Sequence, residues 1–147
     1  MRGRWRPMNF EDFQLKTSPN QYLLCPKGMS TRAKPNDDSP IFDVPIEALQ
    51  RVWREVALRQ PRVAMIRDDR EINQCEFVQR SLVFRFPDAM TVEFFAIDDE
   101  RSTCAVYSRS KYGYGDLGVN RRRVRKWVRL VQNEIARDAV QGQGQRR

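Results

Sequence analysis

The stretch "KYGYGDLGVNRRRV", Lys111 to Val124, sets Gly113, Gly115 and Gly118 at the G-x-G-x-x-G interval of dinucleotide-binding folds. A strand-like run precedes it and a helical pattern follows, which is the local setting such a site requires. The wider setting differs. A Rossmann unit needs another parallel strand after the helix, with an acid near its end for the ribose. Only 29 residues follow Gly118, and they read as a helix and a tail. No Gly-Lys-Ser/Thr follows either, so a Walker loop is excluded. The first reading of the glycines is therefore a tight, left-handed or bulged turn between strand and helix. Asp116 or Asn120 would cap that helix, and Tyr112 and Tyr114 would pack on the sheet edge.

Upstream lie four strand-like runs, roughly 62–68, 75–86, 90–98 and 102–110, separated by short polar links. Links this short join antiparallel strands, because a parallel crossover needs about a dozen residues or more. In the second run Val78, Leu82, Phe84 and Phe86 share one face, and Gln79, Ser81 and Arg85 the other. In the fourth, Cys104 and Val106 alternate with Thr103 and Tyr107.

Before these strands, Asp43-Val44-Pro45 opens a helix, with Asp43 as cap and Pro45 in the first turn. Ile46, Leu49, Trp53 and Val56 give it an apolar face, and Gln60-Pro61 ends it. After them, a helix from about Asn120 to Val140 carries the apolar stripe Val124, Trp127, Val128, Val131 and Ile135, with Arg122, Lys126, Arg129 and Asn133 opposite. The expected fold is a single α+β domain, α-β-β-β-β-α. In it a four-stranded antiparallel sheet is packed by two helices and preceded by an irregular N-terminal arm, partly ordered where "NQYLLCP" supplies anchors. Residues 1–17 are expected to be a flexible basic terminus, 18–140 the domain and 141–147 a disordered tail.

A chain of 147 residues with 40% apolar composition suits one domain with a core. No apolar run approaches the roughly 18–20 residues that span a bilayer. The start "MRGRWRPMNFEDF" lacks the apolar stretch of a signal peptide, so the cytoplasm is the expected location. Cys25, Cys75 and Cys104 show no C-x-x-C spacing, which argues against a zinc site, and Cys104 reads as a small core residue. There is no histidine. That removes the usual triads and most transition-metal sites, and no metal or cofactor is expected. The net charge of +8 sits at the ends: residues 121–147 carry nine Arg/Lys against two acids, and residues 1–8 add three arginines.

Arg121, Arg122 and Arg123 crowd the first helical turn, where the macrodipole is already positive and each is unfavourable by roughly a few tenths of a kcal/mol. Either acids such as Asp116 and Asp88 pair with them, or the site accepts an anion. Ser108 and Ser110, just before the loop, would add hydroxyl donors to a phosphate or carboxylate pocket.

"YSRSKYGYGDLGVNRRRV", with the upstream "SPNQYLLCP" and "VQRSLVFRFPDAMTVEF", resembles the domain-of-unknown-function family 1499. The shared pattern S-R-S-x-x-G-x-x-D-x-G-x-N-R-x-R falls on Ser108, Arg109, Ser110, Gly113, Asp116, Gly118, Asn120, Arg121 and Arg123. Pro19-Asn20 matches a Pro-Asn pair, and Phe86 and Asp88 match a Phe-x-Asp turn. The resemblance covers about residues 18–137. It implies a bacterial or plastid-bearing source and no assigned activity, and some members carry export or membrane segments. Only Gly113 and Gly118 match the family's glycines, so these two are the structural turn positions and the dinucleotide fingerprint is partly accidental.

Three functions follow. The first is a non-catalytic ligand- or partner-binding domain, its polar, anion-accepting site built by Asn20, Ser108, Ser110, Asp116, Asn120 and Arg121. The second is nucleic-acid or anionic-surface binding by the basic C-terminal helix through Arg122, Lys126 and Arg129, plus Arg146 and Arg147. The slightly acidic body and the lack of an RNA-recognition signature weigh against nucleic acid. The third is an enzyme, with Asp88, Asp116, Tyr112 and Tyr114 as acid/base groups, although no spacing joins any pair into a mechanism. A small anionic ligand or a protein is the expected partner.

Overall fold

The computed structural model describes residues 7–111 and 118–144. The elements run β1 (Gln21–Pro26), β2 (Asp37–Ser39), α1 (Ile46–Arg59), β3 (Val63–Asp69), β4 (Gln74–Arg80), β5 (Pro87–Ala96), β6 (Ser102–Ser110) and α2 (Val119–Gly144). The class is α+β, as expected, and β3 to β6 form the expected antiparallel meander. The sheet itself is larger than four strands. It has six, in the order β2-β1-β6-β5-β4-β3, with β1 antiparallel to β6 and β2 parallel to β1. The added strands come from the arm. β1 is buried at Tyr22, Leu23, Leu24 and Cys25 in succession, because both of its faces are covered. Such a strand shows no alternation. β2 is only the polar tripeptide Asp37-Asp38-Ser39.

Both helices cover one face. Leu49, Val52, Trp53 and Val56 of α1 and Val124, Trp127 and Val131 of α2 pack on Phe77, Met90, Val92, Phe94, Cys104 and Val106. Trp53 meets Phe94 edge-on at 6.2 Å and Trp127 meets Phe77 at 5.9 Å. The opposite face is covered by the arm, where Phe10, Leu23, Cys25, Ala33, Ala105 and Tyr107 form a second cluster. Phe10 comes from the stretch expected to be a flexible terminus and is 1% exposed. β6 therefore lies between two strands and beneath two layers.

Local details depart from expectation in three places. α1 starts two residues late: Pro45 is its N-cap, its carbonyl accepts from Leu49 N at 3.1 Å, and no side chain caps it, so Asp43 does not. Its end is as read, with Gln60 extended at ψ 147° before Pro61. β4 stops at Arg80, and residues 81–86 are a hairpin loop in which Leu82, Val83 and Phe84 are exposed. The face assignment of that run is thus corrected. Gln79 shares the buried face with Cys75 and Phe77, Val78 points the other way, and the apolar loop residues belong to neither face. α2 continues through Gly144, into the stretch expected to be a tail, and residues 145–147 lie outside the described residues.

Candidate functional site

The pleat sends Cys104, Val106, Ser108 and Ser110 of β6 to the helix side. The first two are core. The last two carry the same face past the end of the core as hydroxyls. The neighbouring strands do likewise: Gln79 follows Cys75 and Phe77 on β4, and Asp88 precedes Met90 and Val92 on β5. Register then lines them up, with Gln79 opposite Asp88 and Asp88 opposite Ser110. On α2 the core stripe Val124, Trp127 and Val131 extends backward by helical spacing to Asn120 and Arg123. A polar row on the sheet thus meets a polar turn of the helix.

The two are tightly joined. Ser108 Oγ donates to Asn120 Oδ1 at 2.6 Å, and Asn120 Nδ2 donates to Ser110 Oγ at 3.0 Å and to the Asn20 carbonyl at 3.1 Å. Arg123 spreads over the row. Its Nε donates to Gln79 Oε1 at 2.7 Å, its Nη1 to Asn120 Oδ1 at 2.9 Å and Ser108 Oγ at 3.1 Å, and its Nη2 to Asp88 Oδ2 at 2.5 Å. Asn20 Oδ1 accepts from Ser18 Oγ at 2.8 Å, and Lys16 Nζ donates to the Ser110 carbonyl at 2.7 Å. Ser108 and Asn120 are wholly buried, and the side chains of Arg123 and Asp88 are 8% and 14% exposed. No buried side-chain polar atom of this cluster lacks a hydrogen-bond partner. A buried cation balanced by one carboxylate, with three further bonds to neutral acceptors, is a stable arrangement, whereas the same cation alone would be costly.

Four of the six expected site residues, Asn20, Ser108, Ser110 and Asn120, come together here. Arg121 does not: it is exposed on the outer side of the first turn. Asp116 and Gly113 lie outside the described residues, as do Tyr112 and Tyr114. Asn120 sits inside the helix and spends its amide on the sheet, so it is not the cap. Gly118 has φ +79°, the left-handed region that favours glycine, and an added Cβ would lie 3.3 Å from the Arg122 guanidinium. Arg109, between the two serines, points to the opposite face, where it reaches Thr91 Oγ1 at 2.8 Å and Glu76 Oε1 at 3.3 Å. Burial lowers its pKa, and the Glu76 carboxylate works against that. Arg123, Asp88 and Gln79 were missing from the expected site. The signal for Arg123 was available, since it falls three residues after Asn120 on the core stripe.

The sequence model of the family described as "Protein of unknown function (DUF1499)" matches residues 17–131. The chain belongs to that family. No curated protein matches the chain. The DUF1499 span takes in β1 through the middle of α2, and with them every member of the polar network except Lys16.

Elsewhere in this DUF1499 chain the reactive groups are muted. Burial pushes the Cys25 thiol up to about 11 and those of Cys75 and Cys104 up to about 12. Cys104 is a core residue, as read, with Sγ 3.5 Å from Ser39 Oγ. Among the described residues no three His, Cys, Asp or Glu side chains group as metal ligands. No described helix is long and apolar enough to cross a membrane.

Proposed function

We propose that this DUF1499 chain is a non-catalytic binding domain whose strand-to-helix junction accepts an anionic ligand or partner. Asn20, Ser108, Ser110 and Asn120 act with Arg123 as a rigid polar brace, and Arg121 makes the contact beside it. One observation carries this reading. The buried network consumes its own donors and acceptors, while Arg121 projects from the same helical turn into solvent and forms no ion pair among the described residues. The first turn of α2 also contains no acid. Raised thiol pKa values and engaged serine hydroxyls support binding over nucleophilic chemistry.

Thermal-shift titration with inorganic phosphate, sulfate and nucleotides tests it. The expected result is an anion-dependent rise in melting temperature that Arg121→Ala abolishes without changing the melt in plain buffer. No shift with any anion, or an unchanged shift in Arg121→Ala, would overturn it.

A second reading has its own support: Arg122, Lys126 and Arg129 are all exposed along one side of α2. A nucleic acid or other polyanion would lie along them. Filter binding at two salt concentrations checks this, because phosphate contacts make retention fall as salt rises.

A further inference from the structure

The β4–β5 hairpin carries an exposed apolar tip. Leu82, Val83 and Phe84 are 72%, 77% and 74% exposed, and Phe86 is 47% exposed. The rings of Phe84 and Phe86 stack at 5.4 Å, so the tip presents one continuous apolar surface. Large side chains this exposed in consecutive positions are unfavourable in water and mark a contact surface.

The surroundings of the tip indicate what it contacts. The concave surface at its base is lined by four cations, Arg62, Arg80, Arg85 and Lys111, and among the described residues by no carboxylate. None of the four forms an ion pair among the described residues. The loop is also internally bonded. Ser81 N donates to the Phe86 carbonyl at 3.0 Å, Phe86 N to Ser81 Oγ at 2.9 Å, and Arg80 Nη1 to the Arg85 carbonyl at 3.1 Å. Backbone groups satisfied within the loop need not be stripped of water when the tip enters an apolar medium. A projecting apolar point ringed by cations fits a surface that is soft and apolar beneath an anionic layer. A folded protein would instead have to offer a matching pocket.

We propose that the tip formed by Leu82, Val83, Phe84 and Phe86 inserts into the headgroup region of an anionic lipid bilayer, with Arg62, Arg80, Arg85 and Lys111 against the lipid phosphates. The full chain would then be a peripheral membrane protein at this end of its sheet. The tip lies outside the junction network, so this proposal stands apart from the binding role of Arg121.

Co-sedimentation of the full chain with phosphatidylcholine vesicles, with and without phosphatidylglycerol, tests it. Binding is expected only with phosphatidylglycerol and should weaken as salt rises. The exposed-site variant Leu82→Ser/Val83→Ser/Phe84→Ser should keep the wild-type melting temperature and lose roughly tenfold or more in vesicle affinity. In Phe84→Trp, tryptophan emission should shift to the blue when these vesicles are added. Absence of binding to anionic vesicles at low salt would overturn the proposal. So would full binding by the triple variant, or a wild-type dimer in solution that the triple variant converts to monomer, since a second copy would then cover the tip.

Discussion

At the scale of single residues, burial decides which charged groups are tolerated and how. Arg123 is kept by Asp88 and three neutral acceptors, whereas among the described residues the Glu93 carboxylate accepts from Gln74 Nε2 alone, at 3.1 Å. Burial raises the Glu93 pKa above its ordinary value of 4.5, the Gln74 hydrogen bond opposes the shift, and Glu11 adds to it. A carboxyl whose folded pKa is raised contributes stability that is complete below the unfolded value and lost as pH climbs through the folded one. Glu93→Gln removes that loss and keeps an acceptor for Gln74. The variant should melt above wild type at about pH 7 and level with it at about pH 3.5. A difference of equal size at both pH values would mean that Glu93 ionisation is not responsible. Sequence alone placed acids near the arginines and named Asp88 as a partner. It could not say which arginine Asp88 would meet, because that depends on the strand register.

Elements were legible where the pattern had a period. The apolar stripes of α1 and α2 and the meander β3 to β6 all follow from spacing. The arm strands did not, for physical reasons. β1 is buried on both faces and so shows no alternation, and β2 has three polar residues whose pairing is set by the Asn36 side chain and backbone meeting Leu23 at 2.8 Å. The β4 pattern misled because apolar loop residues 82–86 kept up a strand-like count after pairing had ended at Arg80↔Pro87. Of the glycine motif, Gly118 has φ +79° at the entry to α2, while Gly113 and Gly115 lie outside the described residues. Gly118→Ala should therefore lower stability by about 1–2 kcal/mol, the usual penalty for an L-residue in the left-handed region. A urea melt measures it, and an unchanged midpoint would show that the bend does not depend on glycine.

For the whole molecule, the sheet is stable because both of its faces are covered, one by the helices and the other by the arm. Gln74 ties the arm down through two bonds to the Met8 backbone, at 2.8 and 2.9 Å. Phe10→Ala should then cost about 3–5 kcal/mol, as for other buried aromatics. A loss below about 1 kcal/mol would mean that the arm is not part of the cooperative unit. The family motif has the corresponding role at the other end, where its asparagine, serines and last arginine, Arg123, lock α2 onto the sheet and leave Arg121 in solvent. Equilibrium urea unfolding of Arg123→Met beside Arg121→Met tests this division most directly. The predicted loss is about 3–5 kcal/mol for Arg123→Met, which strands Asp88 in a largely buried site, and within about 0.5 kcal/mol for Arg121→Met. Equal losses in the two variants, or a neutral Arg123→Met, would contradict the account.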